Sequence, residues 1–112
     1  MRNPMYNKLK FLLGNVREEP IKYFPICSKI TGGLTTGILL SQIIHLCKSR
    51  PEFWITDRDF CNMLSMGFYE FSAAKKKLKK TGLVKIKVQG IPPKTCYRIN
   101  IEKIENEIIK RK

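Results

Sequence analysis

The sequence has 112 residues, enough for one domain with a modest hydrophobic core. Hydrophobic residues make up 43% and charged residues 28%, a balance that excludes a disordered chain, and the apolar runs are too short to cross a membrane. The 22 Lys and Arg residues outnumber the 9 Asp and Glu residues, and the resulting net charge of +13 favours a polyanionic partner, nucleic acid before a membrane surface.

Residues 1–22 are predicted to form a short helix and a linker. Asn3 and Pro4 suit the start of a helix, and Gly14 suits its end. The apolar side of this helix either packs on the domain, which we favour, or serves as a dimerisation arm. The apolar stretch near the start is too short for a secretory signal, so we expect a cytoplasmic protein.

Residues 23–112 are predicted to form a single α+β domain. Residues 23–26 are expected to be extended, because a proline disfavours helical geometry in the residue before it. Residues 33–48 form a helix that is apolar around most of its circumference and is therefore central to the core. Residues 53–55 are aromatic or β-branched and predict a short strand, with Trp54 in the core.

Two helices joined by a short turn are predicted next. Thr56 or Asp57 caps a helix over residues 58–64, whose inward side chains are expected to be Phe60, Met63 and Leu64. After a turn that contains Gly67, a helix over residues 69–80 has its buried side defined by Phe71, Ala74 and Leu78. This order is typical of a helix-turn-helix.

A β-hairpin and a C-terminal helix complete the predicted domain. Strands over residues 83–88 and 95–100 flank a turn that Pro92 and Pro93 stiffen. In the first strand the lysines alternate with apolar residues that should face the core, namely Val84, Ile86 and Val88. Residues 101–112 place isoleucines at helical spacing, and this stripe packs either on its own domain or on a second copy.

Residues 71–101 contain nine Lys or Arg residues and no Asp or Glu. Five lie on the predicted helix and four on the hairpin: Lys75, Lys76, Lys77, Lys79, Lys80, Lys85, Lys87, Lys94 and Arg98. A lysine run is often only a solvated helix face. Because a second basic element follows directly, we interpret the segment as a DNA-binding surface, with the helix in a groove and the hairpin against phosphates.

The exposed side of the predicted helix supplies the candidate base contacts. Tyr69, Ser72 and Ala73 fall opposite the buried positions and are expected to face base edges. Lys76 and Lys80 are expected to reach bases or phosphates. On the hairpin, Lys87, Lys94 and Arg98 are expected to hold the adjacent DNA backbone, and the other candidate contacts are Lys77, Lys79 and Lys85. The exposed side lacks Arg, Asn and Gln, the side chains that make bidentate base contacts, so we expect modest sequence specificity and a large electrostatic contribution.

The sequence does not favour catalysis or a cofactor. His45 is the only histidine, and the nearby Cys47 points in a different direction on the same helix, so a metal site is not expected. A nucleophile such as Cys61 would need a base partner, and His45 is the only histidine that could supply one. We therefore expect no enzyme activity, metal or small-molecule substrate, and cysteines that stay reduced.

The order helix, strand, helix, turn, helix, hairpin is that of a winged helix, and several segments add to this likeness. They are Tyr23-Phe24-Pro25-Ile26, Ser28-Lys29-Ile30-Thr31-Gly32, Phe53-Trp54-Ile55-Thr56, residues 74–84 and residues 90–100. Together they resemble the winged-helix domains of phage, plasmid and mobile-element replication proteins, over about residues 23–104. The resemblance implies DNA binding in replication or maintenance of a mobile element. Larger members carry further domains that recruit replication proteins, so we expect an accessory protein.

Three alternatives stay open from the sequence. The first is binding of single-stranded DNA, with stacking on Phe68, Tyr69 or Tyr97 beside the basic surface. The second is a transcriptional regulator of the same fold. The third is a winged helix that docks on a protein, for example an acidic replication factor.

Overall fold

The computed structural model describes residues 4–16 and 20–111. Over these residues the chain forms six helices and three strands, in the order α1 (Pro4–Asn15), α2 (Pro25–Thr31), α3 (Leu34–Leu46), β1 (Glu52–Ile55), α4 (Asp57–Leu64), α5 (Phe68–Thr81), β2 (Val84–Gln89), β3 (Lys94–Ile99) and α6 (Ile101–Lys110). The three strands form one antiparallel sheet in the order β1-β3-β2. The predicted α+β class is confirmed, and the arrangement is compatible with a winged helix. Part of the predicted linker, residues 17–19, lies outside the described residues.

The region around Pro25 differs from the sequence prediction. Pro25 and Ile26 were expected to be extended but begin α2, and Phe24 is the extended residue, with φ −114° and ψ 112°. Proline suits the first position of a helix because its fixed φ is helical and its missing N–H has no partner to lose there. The steric restriction therefore acts on Phe24 and leaves the residues after it free to be helical.

Helix α1 does not pack on the domain. It continues through Gly14 to Asn15, and none of its residues is buried. Leu9, Leu12 and Leu13 lie on one side of the helix and are all exposed. The favoured prediction for this helix is therefore wrong, and its role as a dimerisation arm stays a prediction.

The hydrophobic core lies between α3, the α4–α5 pair and the inner face of the sheet. Leu39, Leu40 and Ile43 of α3 are fully buried, and Phe71, Ala74 and Leu78 of α5 are buried as predicted. An aromatic cluster joins the helices to the sheet: the ring centroids of Phe60 and Phe71 are 5.5 Å apart, those of Phe60 and Tyr97 are 5.3 Å apart, and those of Phe53 and Tyr97 are 5.2 Å apart. On α6, Ile104 is buried and Ile108 packs against the core, so part of the isoleucine stripe faces its own domain.

Three residues predicted for the core are exposed instead. Met63 is 41% exposed, because Phe60 and Leu64 already define the buried side of the short helix α4. Val88 is 62% exposed, since it is near the hairpin turn, where β2 extends past the core. Trp54 is 47% exposed, because Phe53 and Ile55 pack against the core and alternation along the strand places the residue between them outside.

The buried hydroxyl of Tyr97 can be tested through its effect on folding stability and on the pH dependence of that stability. Its hydroxyl is buried without a hydrogen-bond partner among the described residues, and burial raises its pKa above the usual 10.0. We expect Tyr97→Phe to stabilise the protein by about 1 kcal/mol, because the buried polar group is removed. Above pH 10 the unfolded chain releases this proton while the folded chain retains it, so wild-type stability should fall with rising pH and the gain from Tyr97→Phe should grow.

Thermal melting of the two proteins at neutral pH and near pH 11 measures both effects. Tyr69→Phe is the matched control, because Tyr69 is 88% exposed. A Tyr97→Phe melting temperature equal to or below that of the wild type at both pH values would contradict the expectation.

Candidate nucleic-acid interface

Local turns fix the position of α5 beside the sheet. Thr56 Oγ1 accepts a hydrogen bond from the Asp59 backbone N–H at 3.1 Å and caps α4, and Ser65 ends that helix in a left-handed conformation with φ 51°. Gly82 ends α5 with φ 75°, a conformation that favours glycine, and the chain then enters β2. As a result α5 and β2 lie side by side with a cleft between them.

The cleft between α5 and β2 gathers part of the predicted site. It has a volume of about 650 Å³, and its lining includes Ser72, Lys76 and Lys79 from α5 and Lys87 and Gln89 from β2. We call it the α5–β2 groove. Lysines from the predicted helix and from the predicted hairpin lie together in this groove. Periodicity within either element could not establish that they are neighbours.

Lys75 and Asp57 line the same groove, but their charges are used within the protein. Lys75 Nζ lies 2.9 Å from Asp57 Oδ1, and the Lys75 side chain is 18% exposed. Thr95 Oγ1 donates a second hydrogen bond to Asp57 Oδ1 at 3.1 Å, and Lys75 Nζ lies 3.4 Å from Thr95 Oγ1. Lys75 thus neutralises the acidic residue of the groove, and the charge that faces solvent comes from Lys76, Lys79 and Lys87.

The other predicted residues of α5 are divided between its exposed side and the flank away from β2. Tyr69, Ala73 and Lys80 are exposed along the helix. Lys77 lies on the opposite flank from the groove, where its Nζ donates a hydrogen bond to the Gly32 carbonyl oxygen at 3.0 Å. The structure therefore separates Lys77 from the groove lysines.

The hairpin cations lie mostly on the outer face of the sheet. The strand register places Glu52, Arg98 and Lys85 in one row across the three strands, and Trp54, Cys96 and Lys87 in the next. We call these six residues the outer sheet surface. Arg98 Nη1 lies 3.4 Å from Glu52 Oε2, so Arg98 is engaged on this face, while Lys94 is exposed beside the hairpin turn, opposite Gln89.

The two surfaces meet along the edge strand β2. Lys87 borders both of them, and a further depression of about 850 Å³ is lined by Lys79 from the groove side and by Lys85 and Arg98 from the outer sheet surface. The predicted cations therefore occupy two adjoining surfaces and one flank of α5, not a single plane.

Sequence reasoning missed two residues of these surfaces. Gln89 lines the α5–β2 groove and also borders the outer sheet surface, although it was predicted only as a turn or strand-end residue. Trp54 was assigned to the core. The signal that identifies Trp54 as exposed is present in the sequence, since strict alternation requires it to point away from Phe53 and Ile55.

The described residues show no arrangement suited to a metal or a reactive thiol. Within the ranges 4–16 and 20–111, no group of three or more His, Cys, Asp or Glu side chains could hold a metal ion. Cys27, Cys47, Cys61 and Cys96 are free thiols, and burial raises the pKa of each of them, so all four are protonated at neutral pH. A thiol in this state is a poor nucleophile.

No family model, curated protein or solved structure that was compared with this chain matches it. Among the described helices none combines the length and the apolar character needed to cross a membrane. The function is therefore proposed from the geometry and charge of the described residues.

Proposed function

We propose that the protein binds duplex DNA as a winged-helix protein, with α5 as the recognition helix and the β2–β3 hairpin as the wing. The element order α3, β1, α4, α5, β2, β3 supports this fold, as does a sheet in which the wing strands pair with β1 through β3. The observation that carries the proposal is the α5–β2 groove, where Lys76 and Lys79 of the helix lie with Lys87 of the wing. Helix-turn-helix proteins place their second helix in the major groove in this way.

The proposed contacts follow the position of each side chain along α5. Tyr69, Ser72 and Ala73 belong to the first half of the helix, the part that contacts base edges when a recognition helix enters the major groove. Lys76, Lys79 and Lys80 follow and reach the phosphates. On the wing, Lys87 and Lys94 contact the adjacent backbone, whereas Arg98 is assigned to the outer sheet surface because it is paired with Glu52.

The chemistry of these side chains implies weak base discrimination. The lysine ammonium group is a point charge that cannot make a bidentate contact with a base. The exposed side of α5 carries no Arg, Asn or Gln, the residues that can. Affinity then comes mainly from phosphate contacts. The proposed biological role, an accessory function in replication or maintenance of a mobile element, comes from the resemblance of the sequence segments alone.

The salt dependence of duplex binding tests the proposal. Five lysines are placed to contact phosphates: Lys76, Lys79, Lys80, Lys87 and Lys94. If each neutralises one phosphate, the logarithm of affinity should fall against the logarithm of salt concentration with a slope of about −4.5. Fluorescence anisotropy with a labelled duplex between about 50 and 200 mM salt measures this slope. Absence of duplex binding at the lowest salt would overturn the proposal in favour of a protein-docking winged helix.

A further inference from the structure

The outer sheet surface carries an exposed aromatic residue among cations. Trp54 is the only tryptophan of the sequence, and it is 47% exposed on the face of the sheet that points away from the core. Cys96 lies beside it on β3 and Lys87 one strand further, on β2. Adjacent strands are separated by about 4.8 Å, so the Lys87 backbone lies only about 10 Å from that of Trp54.

The charge around Trp54 is positive and accessible. Lys85, Lys87 and Arg98 are exposed, and Glu52 is the one acidic side chain of the six residues that define this surface. Glu52 lies 3.4 Å from Arg98 in a solvent-exposed pair, which is a weak interaction that leaves other guanidinium N–H groups available. Within the described residues, neither Lys85 nor Lys87 forms an ion pair.

The shape of this region suits a planar group with polar edges. Trp54, Lys87, Gln89 and Arg98 border a depression of about 320 Å³, which Glu52 also lines. An indole face at one side of such a depression can stack on a flat ring, and the Gln89 amide supplies both a donor and an acceptor for its edge. Lys85, Lys87 and Arg98 could bind the phosphates on either side of a nucleotide whose base is the stacked ring.

We propose that the outer sheet surface binds a single nucleic-acid strand, with an unpaired base stacked on Trp54 and the flanking phosphates held by Lys85, Lys87 and Arg98. Only an unpaired base presents its whole face to the indole, because the bases of a duplex are already stacked on each other. Stacking of this kind tolerates any base sequence, since every base has a π face. The site does not rest on the duplex-binding function: Lys87 lines both surfaces, but Trp54, Lys85 and Arg98 lie outside the α5–β2 groove.

Tryptophan fluorescence provides a direct test on the unmodified protein. Trp54 is the only source of this signal, so stacking should quench it when a thymidine oligonucleotide is added. The same titration with oligouridine shows whether the site also binds RNA, because both polymers supply the stacked base and the phosphates. An oligonucleotide of the same length without bases retains the phosphates, and it should bind more weakly and quench less. Equal binding of the abasic strand, or no quenching by either strand with bases, would overturn the proposal.

Variants separate this site from the duplex site. Trp54→Ala should weaken binding of labelled oligothymidine by about 5- to 100-fold, Trp54→Phe should recover part of the loss, and neither should change duplex affinity. Lys76→Ala/Lys79→Ala should show the reverse pattern. Unchanged oligothymidine affinity in both Trp54 variants would overturn the single-strand site and leave duplex binding untouched, whereas failure of duplex binding alone would overturn only the proposed function.

Discussion

The double variant Lys76→Ala/Lys79→Ala should bind duplex DNA about 10- to 100-fold more weakly than the wild type near 0.1 M salt. Both lysines line the α5–β2 groove, on the side of α5 that faces the wing. Each lost phosphate contact releases about one fewer counterion, so the slope of log affinity against log salt should become shallower by about 2. Anisotropy titrations over a salt series measure the affinity and the slope together.

A charge-matched control distinguishes the groove from the net charge of the protein. Lys29→Ala/Lys110→Ala also removes two positive charges, but these lysines lie on α2 and α6 and are exposed outside the α5–β2 groove. This control should retain nearly all of the wild-type affinity and slope. If both double variants lose affinity equally, duplex binding reflects the overall charge of +13, and the assigned groove is wrong.

Gly37→Ala should be strongly destabilising, because α2 crosses α3 directly over this glycine. A Cβ atom at position 37 would lie 2.5 Å from Ser28 Cα and 2.6 Å from Ser28 N, both of which are backbone atoms of α2. One hydrogen bond joins the two segments here, from the Phe24 N–H at the start of α2 to Ser41 Oγ of α3 at 3.0 Å, and the same hydroxyl donates to the Gly37 carbonyl oxygen within α3 at 2.7 Å. The helices would have to separate, which costs about 1–3 kcal/mol or more.

Thermal melting followed by circular dichroism measures this loss, which should lower the melting temperature by roughly 10 °C. Gly14→Ala is the matched control, because Gly14 is also helical but has no other atom within 4 Å of the place that an alanine methyl group would occupy. Alanine favours a helix over glycine by about 1 kcal/mol, so this variant should melt at or above the wild-type temperature. A Gly37→Ala protein that melts with the wild type would show that α2 does not need its close approach to α3.

Local sequence signals predicted the elements that carry the candidate site. The spacing of Phe71, Ala74 and Leu78 defined the buried side of α5, because helix periodicity depends on neighbouring residues only. The sheet needed long-range information. The pairing of β1 with β3 brings Trp54 beside the wing cations, and that pairing is not visible in either segment alone.

Tertiary packing decided which lysines act together. Helical periodicity alone puts Lys77 and Lys79 on either side of the exposed face of α5. In the structure, α2 lies on the flank of Lys77 and β2 on the flank of Lys79. The role of Gly37 was also hidden. From the sequence alone, a glycine inside a helix indicates only a weaker helix. The close approach of α2 that requires a residue without a Cβ could not be foreseen, because α2 itself was not predicted.

The ion pair and hydrogen bonds among Lys75, Asp57 and Thr95 have a consequence for ligand binding. They connect α5 to the first turn of α4 and to β3. Under the proposed function, these contacts hold α5 in place beside the hairpin before DNA binds, so that binding does not require the two elements to become ordered. We would then expect duplexes whose groove width does not match the fixed distance between α5 and the hairpin to bind more weakly, even where no base is contacted.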